Sequence, residues 1–516
     1  MSAGPREPML CAVLRPSPRP LVLLGLALVC SARPGCAPAP PGRLPVGSGV
    51  LVIAVDGLRA DRLSCFGYDR ETTPEIDGWA AQGTAFLQAF SPSPEMQGAH
   101  TALLTGTEPA LAHRDLERTD DPIARLSEWS LPQGLPRLAR EFLAAGYTTA
   151  AFVDHFGLSD VYGYGSGFED FQCFAPDSRE GSVGYEAVAG KLFSWLRERS
   201  KTEDWFAYVH VNDLERVWEH GGSEERFDTF FGPRPELDVV PPVAQAERSF
   251  FAVPRPRWRH ATRTLGEYEA LYDGALRRLD TKFAQLFAEL RKRERLRNTT
   301  VVIVGTYGMG FGEAGLVLDS GTLSDVDLHV PLIIRPAPVL NCKKGLRSQV
   351  LVSLCDLAPT LLDLARPPLR RPAGMTGVSL APVLFGTGSS PRELCFATGG
   401  VHGGGSFAVF DARWCFESIQ PASGGSAEFV RSWTGEDAAA LPRRHLHDRQ
   451  LPGDLGHLGS GSADEARAAG MERAGLDWYT DVGLAREVLR GNRRASDLPP
   501  ADRKRLAELG LLGEGR

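Results

Sequence analysis

Apolar and polar positions alternate between two regimes along most of the chain. The run Gly49-Val50-Leu51-Val52-Ile53-Ala54-Val55 is short, β-branched and uninterrupted, the signature of a central strand buried on both faces. It stops at Asp56-Gly57, which puts a carboxylate at the strand's carboxyl edge, where ligands collect in open α/β sheets. Thr73-Pro74 then opens a helix with a Thr N-cap and Pro at the first helical position. Four further runs repeat the strand pattern: Tyr147–Val153, Trp205–Val211, Thr299–Val304 and Val330–Ile334. Segments with helical spacing lie between or after them, at Tyr185–Arg199, Tyr268–Leu290 and Leu354–Leu364. Strands alternating with helices over this length predict an α/β fold, a mostly parallel central sheet with helices on both faces.

The pattern changes after a Pro- and Arg-rich stretch at Arg366–Arg371. Glycines crowd residues 399–405, and Ser406–Phe410 and Trp414–Ser418 alternate as antiparallel strands do. Turn-forming residues fill Asp448–Glu465, and a closing helix is expected near Asp502–Leu509. The expected division is a leader at residues 1–47, an α/β domain at 48–370 and a smaller C-terminal subdomain with an antiparallel sheet at 371–516.

The first residues differ from the rest. Arg15 and Arg19 precede the apolar run Leu21–Cys30, and small and Pro-rich residues come next. This order predicts a secretory leader and an exported or cell-envelope protein. The run is shorter than the roughly 20 apolar residues of a membrane span. Cys30 and Cys36 raise a lipid anchor, the one route to a membrane read here, although Val29 and Arg33 fit a lipobox poorly. Six cysteines lie beyond the leader, at Cys65, Cys173, Cys342, Cys355, Cys395 and Cys415, with no CxxC pair and no zinc spacing. They are expected to be mostly small buried hydrophobes, with one or two disulfides allowed by export.

With 43% hydrophobic and 23% charged residues and a formal net charge of −7, the composition is that of a globular protein. Its basic residues form no stripe, so nucleic acid is not expected as a partner.

Several stretches resemble the sulfatase family of the alkaline phosphatase superfamily. Leu51–Leu63 (LVIAVDGLRADRL) is similar to the family's first strand and metal loop, and Ser91–Gly106 (SPSPEMQGAHTALLTG) to its nucleophile loop and helix. Val301–Gly315, Leu328–Ile334, Ser353–Leu364 and Arg505–Leu512 resemble later segments, in the family's order. The resemblance implies a divalent cation held by carboxylates, a nucleophile at a helix N-terminus, cations on the ester oxygens and a general acid.

Only part of that set is present. Asp56 matches the first metal carboxylate. Counting back from Thr105-Gly106 places Met96 at the nucleophile position, and a thioether neither becomes formylglycine nor attacks an ester. The neighbours Glu95 and Gln97 are no better, and Thr101 lies a turn into the helix as a packing residue. The second metal pair is replaced by Thr306-Tyr307, which carries no charge at neutral pH. Glu215 stands in place of a family histidine. Asp319-Ser320-Gly321 stands in place of a basic His-Gly-Arg/Lys segment. His100 and Arg59 remain as local cations. Arg59 is expected to be a partner of the Asp61 region, and His100 either caps its helix or touches a ligand.

The expected function is therefore a sulfatase-like pseudoenzyme, an exported protein binding a small anionic ligand or an envelope partner. No cofactor is read for it. The alternative is an active sulfuric or phosphoric ester hydrolase or transferase. It would hold a divalent cation through Asp56, with Glu215, Asp319 and Asp325 or Asp327 nearby. A third reading is an envelope protein that uses the fold as an interaction module.

Overall fold

A computed structural model describes residues 44–112, 130–174, 183–217, 230–241, 243–244, 253–254, 264–292, 294–313, 316–318, 321–399, 405–419, 444–450, 462–490, 494–509 and 511–512. Residues 41–516 cluster as one compact unit. The leader up to residue 43, the glycine-rich stretch at 400–404 and Asp319 fall outside the described residues.

The main sheet is built from β1 (Gly49–Val55), β2 (Thr84–Phe90), β3 (Thr148–Val153), β4 (Asp170–Cys173), β5 (Trp205–Val211), β6 (Thr299–Gly305), β7 (Leu332–Arg335) and β8 (Leu346–Ser353). Its order is β8-β2-β7-β6-β1-β5-β3-β4. Every pairing is parallel except those of β7, which runs antiparallel to both β2 and β6. The five apolar runs singled out in the sequence all fall within the sheet. β2, β4 and β8 join it without showing that pattern. In β8 the reason is its place at the sheet edge, where Arg347 and Gln349 are exposed while Val352 is buried.

Side chains alternate across each strand, so one parity of β1 faces one core and the other parity a second. Val50, Val52 and Ala54 join a cluster with Ala99, Ala102 and Leu103 of α2 (Met96–Thr105), Phe142 of α3 (Leu138–Ala144) and Leu361 of the later α6 (Leu357–Asp363). Leu51, Ile53 and Val55 join Trp79 of α1 (Pro74–Ala80), Leu192 of α4 (Tyr185–Glu198) and Phe283 of α5 (Leu265–Lys292). Helices therefore cover both faces of a mostly parallel sheet, as the alternation predicts. Each fully buried aliphatic side chain contributes about 1.5–3 kcal/mol relative to exposure.

Thr73 does stand at the N-cap of α1, but its hydroxyl donates to Asp77 Oδ1 and accepts from the Ser64 N–H instead of capping the backbone. The expected helix at Leu354–Leu364 begins as a tight turn under a Ser353/Asp356 capping box before α6.

The second sheet is antiparallel, in the order β9 (Cys395–Thr398), β10 (Phe407–Phe410), β11 (Trp414–Ser418), β12 (Arg444–Asp448). A 28-residue helix, α7 (Ser462–Leu489), comes next and occupies part of the stretch expected to be turns. Its glycines and weakly periodic apolar positions hide it in the sequence. Gly475 fits against the Phe407 ring, where a Cβ would sit 2.1 Å from Cε2. The closing helix α8 (Pro500–Glu508) lies where the sequence predicts it. Among the described residues, Cys65, Cys342, Cys355, Cys395 and Cys415 are free thiols, and the last three are buried. No helix among the described residues is long and apolar enough to cross a membrane.

Candidate active site

The carboxyl ends of β1, β5 and β6 meet beside α2. Val50, Val52 and Ala54, Tyr208, and Val302 and Val304 all face the α2 side, so the same parity turns Asp56, His210 and Thr306 toward that helix. Asp56 and His210 are each 0% exposed, as are His100 and Thr306. The chain leaves β1 through Gly57 at φ +70°, where a Cβ would lie 2.7 Å from Met309 Cε. A side chain there would be both strained and crowded.

Asp56 sits at the centre of a closed hydrogen-bond network. His100 Nε2 lies 3.1 Å from its Oδ1, His210 Nε2 lies 2.9 Å from its Oδ2, and the Thr306 hydroxyl donates to Oδ1 at 2.6 Å. Proton positions are set by the outer partners. The Asp154 N–H donates to His210 Nδ1 at 3.0 Å, so that nitrogen holds a lone pair and Nε2 carries the proton. The Tyr208 hydroxyl lies 2.6 Å from His100 Nδ1, and burial pushes it well above its ordinary range, so it stays protonated and donates. His100 Nε2 then carries its proton toward Asp56. Burial also lowers the His100 pKa despite the facing Asp56, which leaves the ring neutral. Burial alone would raise the Asp56 carboxyl. The His210 and His100 rings and the bonds they donate outweigh it and hold Asp56 well below the usual carboxylate range.

The residues expected from sequence distribute unevenly around this centre. His100 is not a helix cap: it stands inside α2 and reaches Asp56, so the cap expectation is corrected. Thr306 joins the network, and Tyr307 beside it is buried. Met96 is the first residue of α2, half-buried, after Glu95 at the N-cap. A Cβ built at Gly157 would lie 3.0 Å from Met96 Cε, and Gln97 Nε2 donates to the Gly157 carbonyl at 2.7 Å. The N-terminus of α2 is thus packed against the loop after β3. Thr101 is buried and donates to the Gln97 carbonyl.

Glu215 lies in a short helical turn, Asp213–Arg216, with its Oε1 3.3 Å from where a Gly57 Cβ would stand. Arg59 pairs with Asp61 at 2.6 Å and with Glu313 at 2.8 Å, and donates to the Met309 carbonyl, in line with the structural role expected of it. Asp325 pairs with Arg449 at 2.6 Å, and Asp327 accepts from the Thr322 N–H and hydroxyl, so both are engaged elsewhere. Asp319 lies outside the described residues.

Three members of the network escape the sequence reading: His210, Tyr208 and Asp154. A signal is present for two of them. Tyr208 and His210 are polar residues of one parity inside the apolar run Trp205–Val211, the parity that places them opposite Asp56.

Asp56, His100 and His210 offer ligand atoms within 4.8 Å of one another. The residues nevertheless do not fit the cation that the resemblance implies. Calcium and magnesium need several oxygen ligands, and Asp56 is the one carboxylate of this group. A metal on His210 Nε2 would also require a proton on Nδ1, directly facing the Asp154 N–H.

The sequence profile of the sulfatase family matches residues 48–367. The chain belongs to the sulfatase family. This sulfatase-family chain is 25% identical to arylsulfatase A of Homo sapiens, over 74% of its own length and 73% of that protein's. It is also 25% identical to the Delta 4,5-hexuronate-2-O-sulfatase of Bacteroides thetaiotaomicron, over 65% of this chain and 71% of the relative. Among solved structures, the phosphonate monoester hydrolase of Agrobacterium radiobacter superposes with a TM-score of 0.63 at 18% identity, covering 84% of this chain and 96% of that one. That likeness establishes the fold, an alkaline phosphatase-like sheet with a separate antiparallel sheet.

Proposed function

We propose that this sulfatase-family member is non-catalytic, an exported protein that binds a ligand or partner on a remodelled sulfatase scaffold. The observation that carries the reading is that protein donors occupy both oxygens of Asp56. Three neutral donors, His100, His210 and Thr306, satisfy a carboxylate that the family's chemistry would need for a cation. Met96 at the head of α2 supports it, since a thioether cannot open an ester. The basic and apolar residues from Arg15 to Cys30 support export. In this reading the α/β portion up to residue 370 is the scaffold, and residues 371–516 are a smaller appended part.

A second reading, an active ester hydrolase with atypical residues, is favoured by one observation: the ligand atoms of Asp56, His100 and His210 are close enough to share a metal. It would require the His210 ring to surrender its bond from Asp154. Turnover separates the two. Purified full-length protein is assayed on aryl sulfates and phosphate monoesters beside Asp56→Asn, with each protein's divalent metal content measured. The expected result is no turnover above the variant and no metal that depends on Asp56. Ester cleavage or bound metal that Asp56→Asn abolishes would overturn the non-catalytic reading.

A further inference from the structure

A second set of metal-type ligands lies on the antiparallel sheet, away from Asp56. β11 and β12 pair antiparallel with Cys415 opposite His447 and Glu417 opposite His445. Phe416 and Leu446 face the main core, while Cys415 turns to the other side with Phe410 and Cys395. The period of two puts Cys415, Glu417 and His447 on that same side. Cys415 is 0% exposed, Glu417 is 7% exposed and His447 is half-buried. Their ligand atoms all lie within 4.8 Å of one another.

We propose that Cys415, Glu417 and His447 form a zinc site that ties β11 to β12. The donor types select the metal: thiolate, imidazole and carboxylate together suit zinc, whereas calcium and magnesium take oxygen alone. Thiolate and carboxylate supply two negative charges, which balance Zn²⁺. The Glu417 carboxylate lies 3.9 Å from His447 Nδ1, too far for a hydrogen bond. Two ligand atoms on a tetrahedral zinc stand about 3.3 Å apart, so a small inward rotation of either side chain closes the site. The surroundings are acidic. Asp325 and Asp327 both act on Glu417, and the nearby Arg449 is bound to Asp325 at 2.6 Å. Three protein ligands leave the fourth position to water.

The test uses the full chain, stripped of metal by chelation and titrated with Zn²⁺, and in parallel with Co²⁺, whose thiolate charge-transfer absorption reports a cysteine ligand. One equivalent should bind, the cobalt complex should show the thiolate band, and the unfolding temperature should rise by several degrees. Glu417→Gln and His447→Gln should each weaken Zn²⁺ binding at least tenfold. Cys415→Ser should abolish the cobalt band. The His447 side chain keeps 12% exposure where Cys415 has none, so its variant tests the site even if Cys415→Ser fails to fold. Zinc affinity unchanged in Glu417→Gln and His447→Gln, or no zinc bound by folded wild-type protein, would overturn the assignment. Zinc lost in Asp56→Asn but kept in His447→Gln would overturn both this assignment and the non-catalytic reading. Zinc kept in Asp56→Asn and lost in His447→Gln supports both.

Discussion

At the scale of single residues, the non-catalytic reading makes Asp56 a structural anion. Each of its oxygens accepts from a buried neutral group, and hydrogen bonds to a charged acceptor are worth about 1.5–3 kcal/mol apiece. Asp56→Asn would turn an amide N–H₂ toward an N–H or O–H donor, so we expect a loss of about 3–5 kcal/mol of stability. Thr306→Val removes one donor and should cost about 1.5–3 kcal/mol. The two substitutions share a partner atom, so their effects should fall short of additive in a denaturant double-mutant cycle. A metal-binding or catalytic carboxylate predicts the reverse, because functional residues are commonly replaced with no loss or a gain of stability. Unchanged or raised stability in Asp56→Asn would therefore count against the structural role. Asp56, Thr306 and Met96 are legible in the sequence because each falls at a position that the family resemblance marks out. Asp154 is not, because its role comes from one backbone N–H brought across from a neighbouring strand, and the polar position of His210 in an apolar run marks the residue but not the ring orientation that aims it at Asp56.

At the scale of elements, the C-terminal end of α2 leads into a buried acid. α2 ends at Gly106 in the left-handed region, φ +64°, with its N–H on the Ala102 carbonyl, an αL-type stop. Two residues later Glu108 is 6% exposed, and its Oε2 has no hydrogen-bond partner among the described residues. Burial raises its pKa to about 7, with Arg392 opposing the shift and Asp356 adding to it. A folded-state value above the unfolded one of 4.5 means that its contribution is fully present below pH 4.5 and is lost as pH rises through 7. Glu108→Gln keeps the shape of the neutral acid and cannot ionise. Relative to wild type, it should gain about 3 kcal/mol between about pH 4.5 and pH 8 in urea melts. A stability difference that stays flat across that range would show that Glu108 is not held neutral. Nothing in the sequence announces this acid, because Glu108 sits after a helix as an ordinary loop residue does. The helical elements α4 and α5 are legible for the opposite reason: their apolar faces repeat at helical spacing over a long stretch.

At the scale of the whole molecule, the sequence pattern suggests a boundary near residue 370, while the packing runs through it. One apolar cluster contains Leu103, Leu111 and Leu357 from the first part with Phe407, Val409, Phe416, Trp478 and Leu506 from the second. The Arg392 side chain crosses the same line to Asp356, with Nε 3.0 Å from Oδ2, and Asp356 also accepts from the Val378 N–H at 2.7 Å. Composition reports such a boundary because loops and glycines change there, but it carries no information about which apolar faces meet. An interface made of shared core should not open separately, since the part left behind would expose aliphatic and aromatic surface at about 25 cal/mol per Å². We therefore expect calorimetry of the full chain to give one cooperative transition. Protein ended at residue 370 should be insoluble or lack the near-UV signal of fixed aromatic packing. Two separated transitions, with residues 371–516 melting alone, would instead establish an independent C-terminal domain.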